Sequence, residues 1–465
     1  MIEFTLGKIA AVVNATHVQY LNEEKQIEGV SIDSRLIEHN NLYVPLIGER
    51  VNGHSFVIKS IQSGAAASLW QNDQPSPPKN IPLIFVNDAV IALQKLAQAY
   101  RDTLDATFIG ITGSSGKTST KDIVYSVSNV GYDTEKTFGN KNNEIGLPLT
   151  ILQLKKETQV AVIEMGISDF KEMGVLTRIV KPHVAIITSI SESHIDNLKT
   201  MQNIVIEKLR IVEGLQPEGL LVYNADTPYL DEVVRNSNIR QKIFSYGFSD
   251  KAQSRILNYR IATNGLYFTS NLYGEHEFFL PLLGKHQILN AMASLLVGMS
   301  LALEAEEVQE GFNKIELTSM RNEVKKIGSS VIIDDTYNAN PDSMIASLDT
   351  LGEYPARIPK IAVLGDMFGL GDNAERLHRA IGARYPFKDI NELWVIGPYC
   401  EQLAEEVLRR NLNLKVRPMI NKEQLYEELI MQTQQVSLIL IKASRGMALD
   451  EVVTRLKEIS NNAQN

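Results

Sequence analysis

The stretch at residues 107–120, TFIGITGSSGKTST, constrains the fold of this chain more than any other. Its first half is apolar and β-branched, which predicts a buried parallel strand over 107–112; from Lys117 to about Val130 the apolar spacing becomes helical, with hydroxyl residues at the start. Between them lie Gly113, Ser114, Ser115, Gly116, Lys117 and Thr118. Glycines let the backbone curl so that successive N–H groups converge on one anion. The helix N-terminus adds partial positive charge, and a lysine with a hydroxyl completes a seat for phosphate and magnesium. The full form of this pattern needs glycine at 111, where Ile111 stands, so the loop is a shortened nucleotide-triphosphate loop. A plain glycine turn is the alternative, and the strand before and helix after count against it.

At 465 residues the chain has material for three units of the usual ~150. Its 44% hydrophobic and 22% charged content exclude a disordered or fibrous class. A net charge of −9 argues against a nucleic-acid partner, since phosphate neutralisation needs a basic surface. The lone cysteine, Cys400, excludes an internal disulfide and a cysteine-based metal cluster, and it fits a reducing compartment. With no leader pattern at MIEFTLGKIAAVVN and no long apolar run, the expectation is a cytoplasmic protein that is not membrane-inserted.

The expected fold class is α/β in three domains. Residues 1–104 form a small α/β unit in which Ser31, Asp33, Ser34 and Arg35, followed by a strand and a glycine turn carrying His54, either grip an anionic ligand or form a solvated loop. Residues 105–318 continue from the phosphate loop through a polar loop at 137–146 containing Asn142 and Asn143, with Pro148 opening the next helix. A strand at 160–164 ends in Glu164, placed to serve a metal or simply to be solvated. A third strand at 184–190 delivers Ser191, Glu192, Ser193, His194 and Asp196 to the same sheet edge, where ligands bind in open α/β folds. His194 is therefore a metal ligand or a hydrogen-bonded structural histidine. Lys208, on a helix at 201–212, reads by itself as a solvated charge.

Alternation over 255–282 predicts antiparallel strands. The helix opening near 284 puts His286 and Asn290 on one face, as a cap or as a base or ribose contact. Residues 319–465 repeat a βαβ rhythm, with strands at 330–335, 361–365, 393–397 and 436–442, so a second mostly parallel sheet is expected. Its strand ends carry Asp334, Asp335, Tyr337, Asn338 and Asn340, then Asp366, then Lys442, Ser444 and Arg445, which mark a binding face. The polar tail at 460–465 is expected to fray.

Taken together, DSR, GERVNGHSF, GITGSSGKTST, GNKNNEIGLPLT, VIEMG, SISESHIDNL, LLGKHQILNAMAS, MRNEVKK, DDTYNANPDSM, VLGDM and KASRGM resemble, in order, the motifs of the Mur ligases of bacterial cell-wall synthesis. The resemblance implies a UDP-sugar-binding domain, a central ATPase domain and a Rossmann-like C-terminal domain. It implies that Gly113, Ser114, Ser115, Gly116, Lys117, Thr118 and Ser119 hold the phosphates of ATP, and that Thr118 and Glu164 hold one Mg2+. His194 and Lys208, the latter as a carbamate, would hold a second. Lys117, Glu164, His194 and Lys208 are then the catalytic set. His286 and Asn290 would meet adenine, and Arg321 and Asp335 phosphate and ribose.

Ser31, Asp33, Ser34, Arg35, Asn142 and Asn143 would meet the nucleotide-sugar peptide, and Tyr337, Asn338, Asn340, Ser444 and Arg445 the incoming amine. Departures from the family pattern are Arg210 where an acid is expected, Ala443 for glycine, and Tyr43, Pro45 and Asn52 where Phe, Ala and Asp are commoner.

The third unit lacks the D-N-P-[RK] motif of the ligase that adds a single diamino residue. The implied reaction therefore joins D-alanyl-D-alanine to UDP-N-acetylmuramoyl-tripeptide through an acyl phosphate, giving ADP and phosphate, in a monomer. Alternatives are the third-residue ligase, a folylpolyglutamate synthase-like ligase, a phosphate-loop kinase or switch, and a non-catalytic UDP-sugar-binding module. Residue three of the peptide, lysine or diaminopimelate, stays open.

Overall fold

The computed structural model describes residues 1–193, 195–410 and 413–462; His194, one of the expected metal ligands, lies outside the described residues. Three sheets of five, nine and six strands follow one another along the chain. In the first, Val30–Ser31, Leu42–Tyr43, Ala67–Gln71 and Leu83–Val86 run parallel and His17–Gln19 closes one edge antiparallel.

The second sheet is centred on Thr107–Thr112, which lies between Val160–Glu164 and Val184–Ile187 and runs parallel to both. Strands covered on both faces read as continuous apolar runs, which is why this one could be located from sequence. Ile109 and Ile111 pack with Val124, Ile288 and Leu295 of the helices Lys117–Ser128 and His286–Ser300. Phe108, on the opposite face, joins a core that includes Leu93 and Tyr100 of the helix Ala89–Arg101, so the first unit is packed against the second sheet. Beyond Leu220–Asn224 and Lys242–Gly247 the sheet passes into the expected antiparallel ribbon of Ser254–Ala262, Gly265–Ser270 and Glu277–Leu280.

The third sheet runs Ser330–Asp335, Leu438–Lys442, Lys360–Gly365, Glu392–Ile396 and Lys415–Met419, all parallel, with Glu323–Ile327 antiparallel on the outer edge. The two edge strands, EVKKI and KVRPM, were not foreseen, because lysines and a proline that blunt an edge also remove the apolar alternation. One further expectation is corrected. The helix Gly146–Gln153 starts before Pro148, which sits in the first turn where a missing N–H leaves no bond unmade. The terminal helix Asp450–Asn462 takes in the first part of the tail expected to fray, whose residues 463–465 lie outside the described residues. No helix among the described residues is long and apolar enough to cross a membrane.

Candidate active site

A cavity of about 600 Å³ opens where the carboxyl edge of the second sheet faces the third, and the phosphate loop forms one wall. Gly113 (φ 151°) and Gly116 (φ 82°) lie in the left-handed half of backbone space, and a Cβ would fall 2.0 Å from Thr188 Oγ1 at the first and 2.8 Å from Asn290 Oδ1 at the second. The loop therefore tolerates no side chain at either position. The amide of Ser114 donates to Ser189 O (2.8 Å) and that of Ser115 to Ser189 Oγ (2.9 Å). This corrects the expectation that every loop amide faces the anion. The first turn of the helix Lys117–Ser128 has no side-chain cap, so its N–H groups are the ones left able to receive an anion. Lys117 Nζ donates back to Gly113 O at 2.7 Å, and burial pushes its pKa down against the pull of Glu164, with Arg321 adding to the depression.

Thr118 and Glu164 are both buried and both line the cavity. Glu164 Oε1 accepts from Asn142 Nδ2 at 2.7 Å, while Oε2 is buried without a partner. Lys208 sits behind the loop rather than in its wall, contrary to the solvated reading: it is 1% exposed, with Nζ donating to the Gly113 carbonyl at 3.2 Å. Burial, reinforced by Lys117 and opposed by Glu207 and Glu172, drives its pKa well below the ordinary lysine range. Arg210 turns away to Glu213 (2.7 Å) and Glu207 (3.3 Å) and adds no charge to the cavity.

At the other end, Arg321 lies 4.0 Å over the Tyr337 ring with a buried Nε that has no partner. His286 Nε2 is 3.2 Å from Asn322 Nδ2, and burial holds its pKa near 4 despite Asp335, with Lys442 adding to the depression. Asn290 lines the cavity, but its Oδ1 accepts from Thr120 Oγ1 (3.1 Å) and its Nδ2 donates to Gln287 (2.9 Å), so it braces the loop and has little left for a base. Asp335 accepts from Lys442 Nζ at 2.5 Å and Ser347 Oγ at 2.7 Å. The amide of Asn340 bridges the units: Nδ2 donates to Ser115 Oγ (3.0 Å) and Ser193 Oγ (2.8 Å), and Oδ1 caps its own helix at Ser343 N (2.9 Å).

Asn143, Tyr337 and Asn338 also line the cavity. Ser31, Asp33, Ser34, Arg35, Ser444 and Arg445 do not. Asp33 and Arg35 pair with each other at the surface (2.6 Å). Ser444 is buried under the Phe368 amide (2.8 Å), and Arg445 pairs with Asp450 (2.7 Å). His54 is a core residue, accepting the Gln71 amide at 3.1 Å, not an anion contact. Asn322 and Asp342 also line the cavity without having been singled out from the sequence, whereas Lys442, which lines it too, was among the polar strand ends expected to mark a binding face.

Family models for the Mur ligase family catalytic domain, the Mur ligase middle domain and the Mur ligase glutamate ligase domain match residues 26–107, 111–298 and 320–445. The UDP-N-acetylmuramoyl-tripeptide–D-alanyl-D-alanine ligase of Bacillus subtilis (strain 168) is 38% identical over 98% of this chain and 99% of its own. This chain belongs to the Mur ligase family. It is an ATP-dependent ligase. A crystal structure of MurF from Acinetobacter baumannii superposes with a TM-score of 0.89 at 25% identity, covering 98% of this chain and 99% of that one. MurF from Thermotoga maritima, solved in complex with ADP, shares the fold at 24% identity and a TM-score of 0.82, covering 94% and 98%.

The donor set of this Mur ligase fits a hard cation. A buried carboxylate oxygen without a partner, on Glu164, and the hydroxyl of Thr118 are oxygen ligands of the kind magnesium takes. The one other cluster of metal-binding side chains among the described residues, Asp366, His378 and Cys400, is closed instead. His378 Nε2 accepts the Met367 amide (2.9 Å) and Nδ1 donates to Ala374 O (2.7 Å), which leaves no nitrogen lone pair. Asp366 accepts the Cys400 amide at 2.8 Å and caps the helix Pro398–Arg409.

Proposed function

We propose that this ligase joins D-alanyl-D-alanine to UDP-N-acetylmuramoyl-tripeptide, converting ATP to ADP and phosphate. The observation that carries the reading is convergence in one cavity: the phosphate-loop helix, Lys117 and Arg321 face the same space, and Asn340 of the third sheet's unit reaches the loop itself. Residues 1–104 would hold the UDP-sugar, 105–318 the ATP, and 319–465 the dipeptide. A substrate carboxylate bonds to the γ-phosphorus as the bond from phosphorus to the ADP oxygen breaks. Both partners are anionic, so Lys117, the uncapped helix turn and Arg321 supply positive charge where it accumulates. Magnesium, when bound at Thr118 and Glu164, supplies further charge neutralisation of the transferring group.

The resulting acyl phosphate is attacked by the neutral amine of the dipeptide, and the tetrahedral intermediate expels phosphate to leave the amide. Asn340, bonded to Ser115 and Ser193, holds the third unit over the loop and keeps water from the acyl phosphate. Lys208 is the residue we assign as a carbamate. Burial against the Gly113 carbonyl shifts its amine toward the neutral form, and only a neutral amine adds to carbon dioxide; 13C-bicarbonate labelling followed by a carbonyl carbon resonance absent from Lys208→Arg tests it.

Phosphate release measured across nucleotide-sugar peptides and amine acceptors tests the whole reading. D-alanyl-D-alanine with the tripeptide nucleotide should give the highest kcat/KM, and single D-alanine should be a poor acceptor. Equal turnover of free lysine or diaminopimelate on the dipeptide nucleotide would overturn the assignment.

A further inference from the structure

Asp122 lies on the phosphate-loop helix, one turn beyond Thr118, and is fully buried, yet it does not face the nucleotide cavity. Its Oδ1 meets Lys136 Nζ at 2.6 Å and Lys121 Nζ at 3.4 Å. Its Oδ2 accepts both the amide (2.8 Å) and the hydroxyl (2.9 Å) of Thr318, and that hydroxyl in turn accepts from Lys121 Nζ at 3.4 Å. A buried carboxylate with charge-assisted bonds on every side is a rigid joint.

What it grips is the crossing between the second and third sheets. Thr318 belongs by these bonds to the phosphate-loop helix. Two residues on, Met320 belongs to the other side, its amide donating to Glu323 (3.0 Å) and its carbonyl accepting from Tyr337 N (3.2 Å). Met320 and Asn322 both adopt left-handed backbone (φ 62° and 50°), which non-glycine residues enter at a cost. The chain therefore changes allegiance within Ser319–Met320, and the next residue is Arg321, whose guanidinium enters the cavity over Tyr337.

We propose that Asp122 is a positioning residue: by fixing Thr318 to the phosphate-loop helix it sets where Arg321 enters the nucleotide cavity. The role rests on the reading of Arg321 as a nucleotide contact and deepens it. A side chain with no contact to the ligand thereby ties the loop that holds the phosphates to the arginine that crosses from the other unit. A bond lost at Asp122 should be felt as a misplaced arginine, not as a weakened core.

The test is a double-mutant cycle read by calorimetric binding of ADP with magnesium to the full chain, with Tm recorded for every variant. Arg321→Ala should weaken ADP about 30-fold and Asp122→Asn about 10-fold, and the double variant should match Arg321→Ala within about 2-fold. Thr318→Val, at a half-buried position and with its fold checked by Tm, should reproduce the Asp122→Asn loss, and Thr318→Ser should restore wild-type affinity. An Asp122→Asn loss that persists undiminished in the Arg321→Ala background, or no loss at all, overturns the proposal. No loss in Arg321→Ala overturns it together with the Arg321 assignment. Wild-type ADP binding without amide formation from any acceptor sinks the ligase reading alone.

Discussion

Arg321 packs its guanidinium 4.0 Å above the Tyr337 ring with a buried Nε that has no partner, whereas Arg35 lies at the surface and closes a bidentate pair on Asp33. The family resemblance assigns both to anionic ligands, and for Arg35 the polar segment around it left a solvated loop as the alternative. The structure separates them. Around the phosphate loop the charges are held apart and unsatisfied: Lys117 can find only backbone carbonyls, Glu164 keeps an oxygen without a partner, and Arg321 is stacked rather than paired. In the first unit Asp33 and Arg35 neutralise one another, and the pairing holds the Asp33 carboxyl down at about 2. A site kept unsatisfied is preorganised for its ligand, while a self-paired site must first be opened by it, so the two should respond differently to mutation.

The largest effect is expected where the unsatisfied charge is closest to the transferring group. Lys117→Ala should reduce kcat by ~10³-fold or more, about 4 kcal/mol of transition-state stabilisation, with Tm near wild type. Retention of more than a tenth of the activity would falsify its role and erase the contrast between the two regions.

Lys208→Ala comes next, at about 10²- to 10³-fold by the same scale. If the lost function is that of a carbamate, short carboxylates such as acetate should restore part of it by occupying the vacated space. Rescue by methylammonium and not by acetate would instead make the amine itself the working group.

Much of this contrast was beyond reach of the sequence, for reasons that differ by element. The strands at 107–112, 160–164 and 330–335 were legible because burial on both faces forces a continuous apolar run. The phosphate loop was legible because its glycines have no sterically allowed substitute. Asn290 and Asn340, expected at the nucleotide and the incoming amine, both line the cavity, but their amides are used within the protein, on Thr120 and Gln287 and on Ser115 and Ser193. Hydrogen-bond partners far apart in sequence leave no local pattern. The same holds for Asp122 and Thr318, and for Lys208, whose position on a helix suggested solvent while packing buried it against Gly113.

His286 allows the preorganised side to be read through pH. Its pKa is near 4 in the native protein and close to 6.5 in an unfolded chain, so between those values the unfolded state binds more protons. The stability contributed by the neutral ring is complete above pH 6.5 and is lost as pH falls toward 4. His286→Gln should therefore lose less Tm than wild type on acidification from pH 6.5 to 4.5, by the equivalent of about 2 kcal/mol, a difference of several degrees. Parallel Tm curves for the two proteins would show that the ring is not held neutral by burial.

The smallest effect belongs to Arg35. Because the pair with Asp33 is exposed and screened, it adds little to stability, and Arg35→Ala should leave Tm within about a degree of wild type, in line with the ~0–1 kcal/mol of surface ion pairs. What it should change is the KM for the nucleotide-sugar, raised about 5-fold, with kcat and the KM for ATP unmoved. The rise is small because the arginine must leave Asp33 to reach the ligand, so part of its new bond replaces an old one. Asp33→Asn sharpens the comparison: it frees Arg35 in advance, and if the self-paired state is what limits the first unit, the KM for the nucleotide-sugar should fall below wild type. A rise in KM equal to that of Arg35→Ala would instead show Asp33 contacting the ligand directly, and the first unit would then be organised as the phosphate loop is, with its charges already assigned to the substrate.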